Sequence, residues 1–143
     1  YAVHKNPAVS EPVHAILGNH KRIHLLEPLD LKDMHNLMSR SYFVMTDSGG
    51  LQEEVPSRGK PVLVLRNVTE RPEGIDAGTL KLAGTEEENI YQMANTLLHD
   101  KKVYQQMAQA KNPFGDGRAS ERIVNSSLYY FGKSQKRPKD YII

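Results

Sequence analysis

The chain has 143 residues, of which 38% are hydrophobic and 25% charged, and a formal net charge of +2. That length and balance suit one folded domain with a real core. They exclude a disordered chain, and the small charge gives no argument for nucleic acid. With no cysteine there is no disulfide and no thiolate metal site, and no stretch approaches the ~20 apolar residues of a membrane span.

In chain order, "YAVHKNP" opens without an initiator Met, and Tyr1 to Val3 reads as the end of a strand already under way. The expectation is a piece of a longer protein. Residues 8–18 read as a helix with Val9, Val13, Ile16 and Leu17 on one face, stopped by Gly18. Arg22 to Leu26 reads as a strand, and Leu31 to Ser39 as a short helix capped by Asp30. Tyr42 to Thr46 is a strand, and Gly50 to Ser57 a helix that stops at Arg58-Gly59. Pro61 to Leu65 is a run of aliphatics, as a strand covered on both faces should be.

Residues 66–77 read as a loop and Thr79 to Ala83 as a short strand. Thr85 to His99 reads as a helix with a Thr85/Glu88 capping box and an inward face of Ile90, Met93, Ala94, Leu97 and Leu98. Lys101 to Ala110 is a further helix, and Asn112 to Gly117 a turn. Residues 118–131 form the last helix, with Ile123, Val124, Leu128 and Phe131 facing inward. Alternating strands and helices predict an α/β fold, a Rossmann-like, doubly wound parallel sheet whose ligands bind beyond the carboxyl ends of the strands. The predicted domain covers residues 1–132, followed by a basic tail over 133–143 in which Lys133, Lys136, Arg137 and Lys139 are solvated.

The "TDSGGLQEE" stretch lies where a strand ends and a helix begins. Unpaired amides at a helix start, with close access over Gly49 and Gly50 and a hydroxyl from Ser48, suit a phosphate. The same residues also make an ordinary tight turn with an N-cap. Glu53 and Glu54 read either as acids favoured by the helix dipole or, for one of them, as an acceptor for ribose hydroxyls. In "RNVTERPEG", at the end of the aliphatic strand, Arg71 reads as a phosphate partner or as part of an Arg–Glu loop network. His4 ends the first strand on the same sheet edge. The other five histidines have no metal-ligand spacing, so no metal is expected.

The motifs "TDSGGLQEE", "GKPVLVLRNVTERPEG", "AGTLKLAGT" and "NPFGDGRASERI", in this order and spread from "VHKNP" to about Phe131, closely resemble the non-hydrolysing bacterial UDP-N-acetylglucosamine 2-epimerases. The resemblance implies the C-terminal half of a GT-B type two-domain fold, with the N-terminal domain absent and the last helix made to cross back to it. It implies interconversion of UDP-N-acetylglucosamine (UDP-GlcNAc) and UDP-N-acetylmannosamine (UDP-ManNAc) by anti elimination of UDP and re-addition, without cofactor or metal. It further implies a cytoplasmic enzyme of cell-surface polysaccharide synthesis, a homodimer at full length, with neither nucleic acid nor membrane as partner.

Carried over residue by residue, Ser48, Gly49 and Gly50 match the backbone diphosphate site, Glu54 the acid on the ribose, and Arg71 the arginine of the nucleotide site. Leu29 falls where the backbone contacts uracil. Met34, in "DMHN", replaces the family's usual Phe beside uracil and stacks less well than a ring. His4 matches a histidine of the regulatory site for a second UDP-GlcNAc. The family's proton-transfer acids match no position here, so no catalytic residue is assigned and the piece alone is expected to be inactive. The rival readings are a hydrolysing epimerase, a GT-B glycosyltransferase nucleotide domain, and a non-catalytic sugar-nucleotide-binding module.

Overall fold

The computed structural model describes residues 1–141 and divides into two compact units, Tyr1–Arg40 and the chain from Ser41 onward. The last two positions of the expected tail, 142 and 143, lie outside the described residues. Among the described residues no helix is long and apolar enough to cross a membrane.

The first unit holds two helices, α1 (Pro7–Leu17) and α2 (Leu31–Arg40). Pro7 suits the first helical position because its missing N–H would have no partner there. Asn6 caps the helix, its side-chain oxygen accepting from the Ala8 amide at 3.0 Å. Asp30 does the same for α2, accepting from the Asp33 amide at 2.8 Å. The two expected strands shrink to one parallel bridge between Ala2 and Leu26. The Arg22 and Ile23 amides bond instead to the His20 ring and carbonyl, so this segment turns locally before it can pair.

The second unit is built on three parallel strands, β1 (Val44–Thr46), β2 (Val62–Val64) and β3 (Leu80–Leu82), in spatial order β1-β2-β3. Val44 pairs with Val62 and Val62 with Leu80, which sets all three carboxyl ends level. Every residue of the central β2 is buried, as its unbroken aliphatic run predicts. α3 (Gly49–Glu54) follows β1 and continues into a 3-10 turn, Pro56–Arg58. That turn closes on Gly59 in the left-handed conformation, φ 63°.

Between β2 and β3 the expected loop contains a short helix, α4 (Pro72–Asp76). Pro72 starts it from the N1 position. α5 (Glu87–His99) begins later than expected and without the Thr85/Glu88 capping box. The chain leaves β3 through Gly84 at φ 69°, and the Glu88 carboxylate takes the Gln92 amide at 2.7 Å instead. α6 (Lys101–Ala108) is capped by Asp100, which accepts from the Lys102 and Val103 amides at 2.9 and 3.1 Å.

Leu63, Ala83, Leu97 and Met107 form one cluster of the buried core, with Ile90, Met93, Ala94 and Val103 packed against it. Leu98 is exposed, against expectation. So is the whole predicted inner face of α7 (Ala119–Tyr130), which buries no residue. In the tail Lys133, Lys136, Arg137 and Lys139 are exposed, as expected, while Tyr141 donates its hydroxyl to the Asn112 carbonyl at 2.9 Å and stacks beneath the Arg122 guanidinium.

Candidate functional site

β1 and β2 are neighbours, so the segments that leave their carboxyl ends emerge side by side. The first carries Ser48, Gly49 and Gly50 into α3, and the second carries residues 66–71 into α4. This is why "SGGLQEE" and "TERPEG", some twenty positions apart, meet at one sheet edge.

Ser48 occupies the N-cap position of α3 in an extended conformation, yet its hydroxyl makes no capping bond. Its amide donates to the Thr46 hydroxyl at 3.0 Å. Neither Gly49 nor Gly50 has a positive φ, so the turn itself does not require glycine at either place. A Cβ on Gly49 would stand 2.6 Å from Oε1 of Glu70, the movable end of an exposed side chain. At Gly50 the nearest groups are the Glu54 carboxylate and the Ser48 hydroxyl, 3.9 and 4.0 Å from where a Cβ would be. Ser48, Gly50 and Glu54 therefore share one face of the helix start, with an acid one turn beyond the open amides.

Arg71 is tied to α3 by an ion pair to Glu53, the neighbour of Glu54. Its Nη1 also donates to the Glu70 carbonyl at 3.1 Å. Arg66 pairs with Glu70 at 2.8 Å. A bond from its own backbone amide and the nearby Arg66 and Arg71 charges hold the Glu70 carboxyl below its usual value, so Glu70 is an anion resting against Gly49. The Arg–Glu loop network considered from sequence as the alternative role of Arg71 is present, in the Arg71–Glu53 and Arg66–Glu70 pairs.

Three contributors were not singled out from sequence. Gln52 is fully buried, Thr69 bonds to it, and Glu70 covers Gly49. No local signal marks Gln52 as buried, since Leu51 and the acid Glu53 flank it.

The other candidate residues lie in the first unit. Leu29 and Met34 are half-buried, Met34 in the first turn of α2. His4 is exposed and accepts the Asn6 amide on Nδ1 at 3.1 Å, which leaves Nε2 to carry the proton of the neutral ring. It lines a surface hollow with Lys5, Ser10, Glu11, His14 and Glu27.

A family model described as UDP-N-acetylglucosamine 2-epimerase matches residues 1–127. The chain belongs to the UDP-N-acetylglucosamine 2-epimerase family. A Bacillus subtilis epimerase of this family is 57% identical over 141 residues, which are 99% of this chain and 37% of that protein. Among solved structures, Staphylococcus aureus MnaA with UDP superposes with a TM-score of 0.93 at 57% identity, over 99% of this chain and 39% of that one. The Neisseria meningitidis UDP-GlcNAc 2-epimerase bound to UDP-GlcNAc gives a TM-score of 0.80 at 46% identity, over 89% of this chain and 35% of that one. The epimerase fold of these relatives is of the GT-B type, and the parallel α/β architecture here is part of it. The chain spans a little over a third of the length of the relatives it matches.

Proposed function

We propose that this chain is the C-terminal, UDP-binding part of a UDP-N-acetylglucosamine 2-epimerase. The observation that carries the reading is the grouping of Ser48, Gly50 and Glu54 at the start of α3, with Arg71 tied beside them by Glu53, in a chain of this family. Backbone amides and an arginine suit a diphosphate. A carboxylate one turn further along suits the ribose hydroxyls, so a uridine diphosphate lies across the helix start. By the family resemblance, Leu29 and Met34 are candidates for uracil contact and His4 for a regulatory UDP-GlcNAc site.

The whole protein interconverts UDP-GlcNAc and UDP-ManNAc. Breaking the sugar–phosphate bond with loss of the C2 proton requires a base at C2 and stabilisation of the charge that develops on the departing UDP. Ser48, Gly49, Gly50 and Arg71 supply the second requirement: donors in place before the bond breaks stabilise the leaving diphosphate more than the ground state. The base belongs to the part of the protein outside this sequence, so the 143-residue chain binds UDP without turning over substrate. The full-length protein is a cytoplasmic, non-hydrolysing homodimer, needs no redox cofactor, and feeds cell-surface polysaccharide synthesis.

Calorimetric titration of UDP into this chain and into Glu54→Ala tests the reading. The expected result is binding that weakens in the variant by about 1–3 kcal/mol, the worth of hydrogen bonds to a charged group. Equal affinity in both would remove Glu54 from the ribose.

A further inference from the structure

The proposed diphosphate turn and the Arg71 loop come from two segments of chain, and a ligand gripped by both needs them at a fixed separation. We infer that Gln52 and Thr69 are positioning residues that set this separation through a continuous run of hydrogen bonds. The inference rests on the UDP reading above and deepens it.

Gln52 lies in the middle of α3 with its side chain fully buried. A buried carboxamide is costly unless both its ends are bonded. Its Nε2 donates to the Ser48 carbonyl at 3.3 Å, and its Oε1 accepts the Thr69 hydroxyl at 2.5 Å. The Thr69 oxygen in turn accepts the Arg71 amide at 3.0 Å. The run therefore begins on the backbone of Ser48 and ends on the backbone of Arg71. Glu53, next to Gln52, holds the Arg71 guanidinium from the same helix. α3 thus fixes both the main chain and the side chain of Arg71. Thr69 suits its place because a hydroxyl donates and accepts at once, which no apolar residue of its shape can do.

The test is UDP affinity in a double-mutant cycle on the 143-residue chain. Thr69→Val keeps the shape and removes the hydroxyl, whereas Thr69→Ser keeps the hydroxyl. Thr69→Val is expected to weaken UDP roughly tenfold, the equivalent of one hydrogen bond, and Thr69→Ser by less than about twofold. In an Arg71→Ala background, where there is no guanidinium left to place, Thr69→Val is expected to change little. An equal loss in both backgrounds would make Thr69 merely structural, and unaltered affinity in Thr69→Val would remove it altogether; either result overturns the inference. If Arg71→Ala alone leaves UDP affinity unchanged, or the unsubstituted chain does not bind UDP, the UDP reading itself fails and takes the inference with it. Should Thr69→Val not fold, amide exchange in the unsubstituted chain decides: the Arg71 amide is expected to exchange slowly and more slowly still with saturating UDP. Fast exchange at Arg71, or exchange indifferent to UDP, contradicts the inference.

Discussion

Helices α5 and α7 are nearly equal in length, 13 and 12 residues, and each carries an apolar stripe. α5 buries Leu97 to 2% exposure and lays Ile90, Met93 and Ala94 against the same core. α7 leaves Ile123 at 65%, Val124 at 57% and Leu128 at 42% exposed. The difference lies in what stands opposite. α5 packs on the sheet and on α6, which Asp100 starts directly after it. α7 is held at its beginning by polar contacts, Arg118 to Glu121 at 2.8 Å and Arg122 to Asp116 at 2.7 Å. An amphipathic pattern states that a face requires cover; it does not say that this chain supplies it.

The largest effect should separate the two helices outright. Leu97→Ala is expected to cost about 2–5 kcal/mol, because it removes buried contacts and leaves a cavity. Ile123→Ala should stay within about 0.5 kcal/mol, as for exposed positions generally. Urea unfolding of both variants measures this, and equal losses would erase the contrast.

A pair of glycines sharpens it. A Cβ on Gly74 would come within 2.4 Å of Leu80 Cδ1 and 3.1 Å of the Phe114 ring, so Gly74→Ala should overpack the core at about 1–3 kcal/mol. Gly132, just past α7, has nothing within 4 Å of such a Cβ, and only its φ of 66° resists substitution. Gly132→Ala should cost about 1 kcal/mol of backbone strain. Thermal melts of the two variants check the order, and a reversed order would contradict the overpacking at Gly74.

The smallest effect concerns acid. Hydrogen bonds from Arg122 foremost hold the Asp116 carboxyl well below the usual range, and Asp116 raises the Arg122 pKa in return. A carboxyl with a depressed folded pKa stabilises above its unfolded pKa, about 3.9, and loses that contribution as pH falls further. The melting temperature of the chain should exceed that of Asp116→Asn at pH 6, and the gap should close as pH falls below about 4. A gap independent of pH would contradict the pairing.

Much of the second unit was legible because its signals are local. The aliphatic run around Val62 to Val64 reads as a covered strand, and in the first unit Asp30 reads as a cap. Strand ends were less legible where side chains compete. Tyr42 gives its carbonyl to the Tyr104 hydroxyl at 2.9 Å and stacks on that ring, so β1 starts only at Val44. Within the candidate site, helical spacing relates Gly50 to Glu54, whereas the choice of Glu54 over Glu53 came from the family resemblance. The pairing of Arg71 with Glu53, and the run from Gln52 through Thr69, depend on β1 and β2 being neighbours and on which face of a six-residue helix turns inward. Neither is written in local spacing.

The most direct test of the account is to map backbone amide chemical shifts of this chain during a titration with UDP. The account predicts saturable shifts at Ser48, Gly49, Gly50 and Arg71, with the amides of α5 unmoved. Saturable shifts that leave residues 48–50 untouched, or no shifts at millimolar UDP, would contradict it.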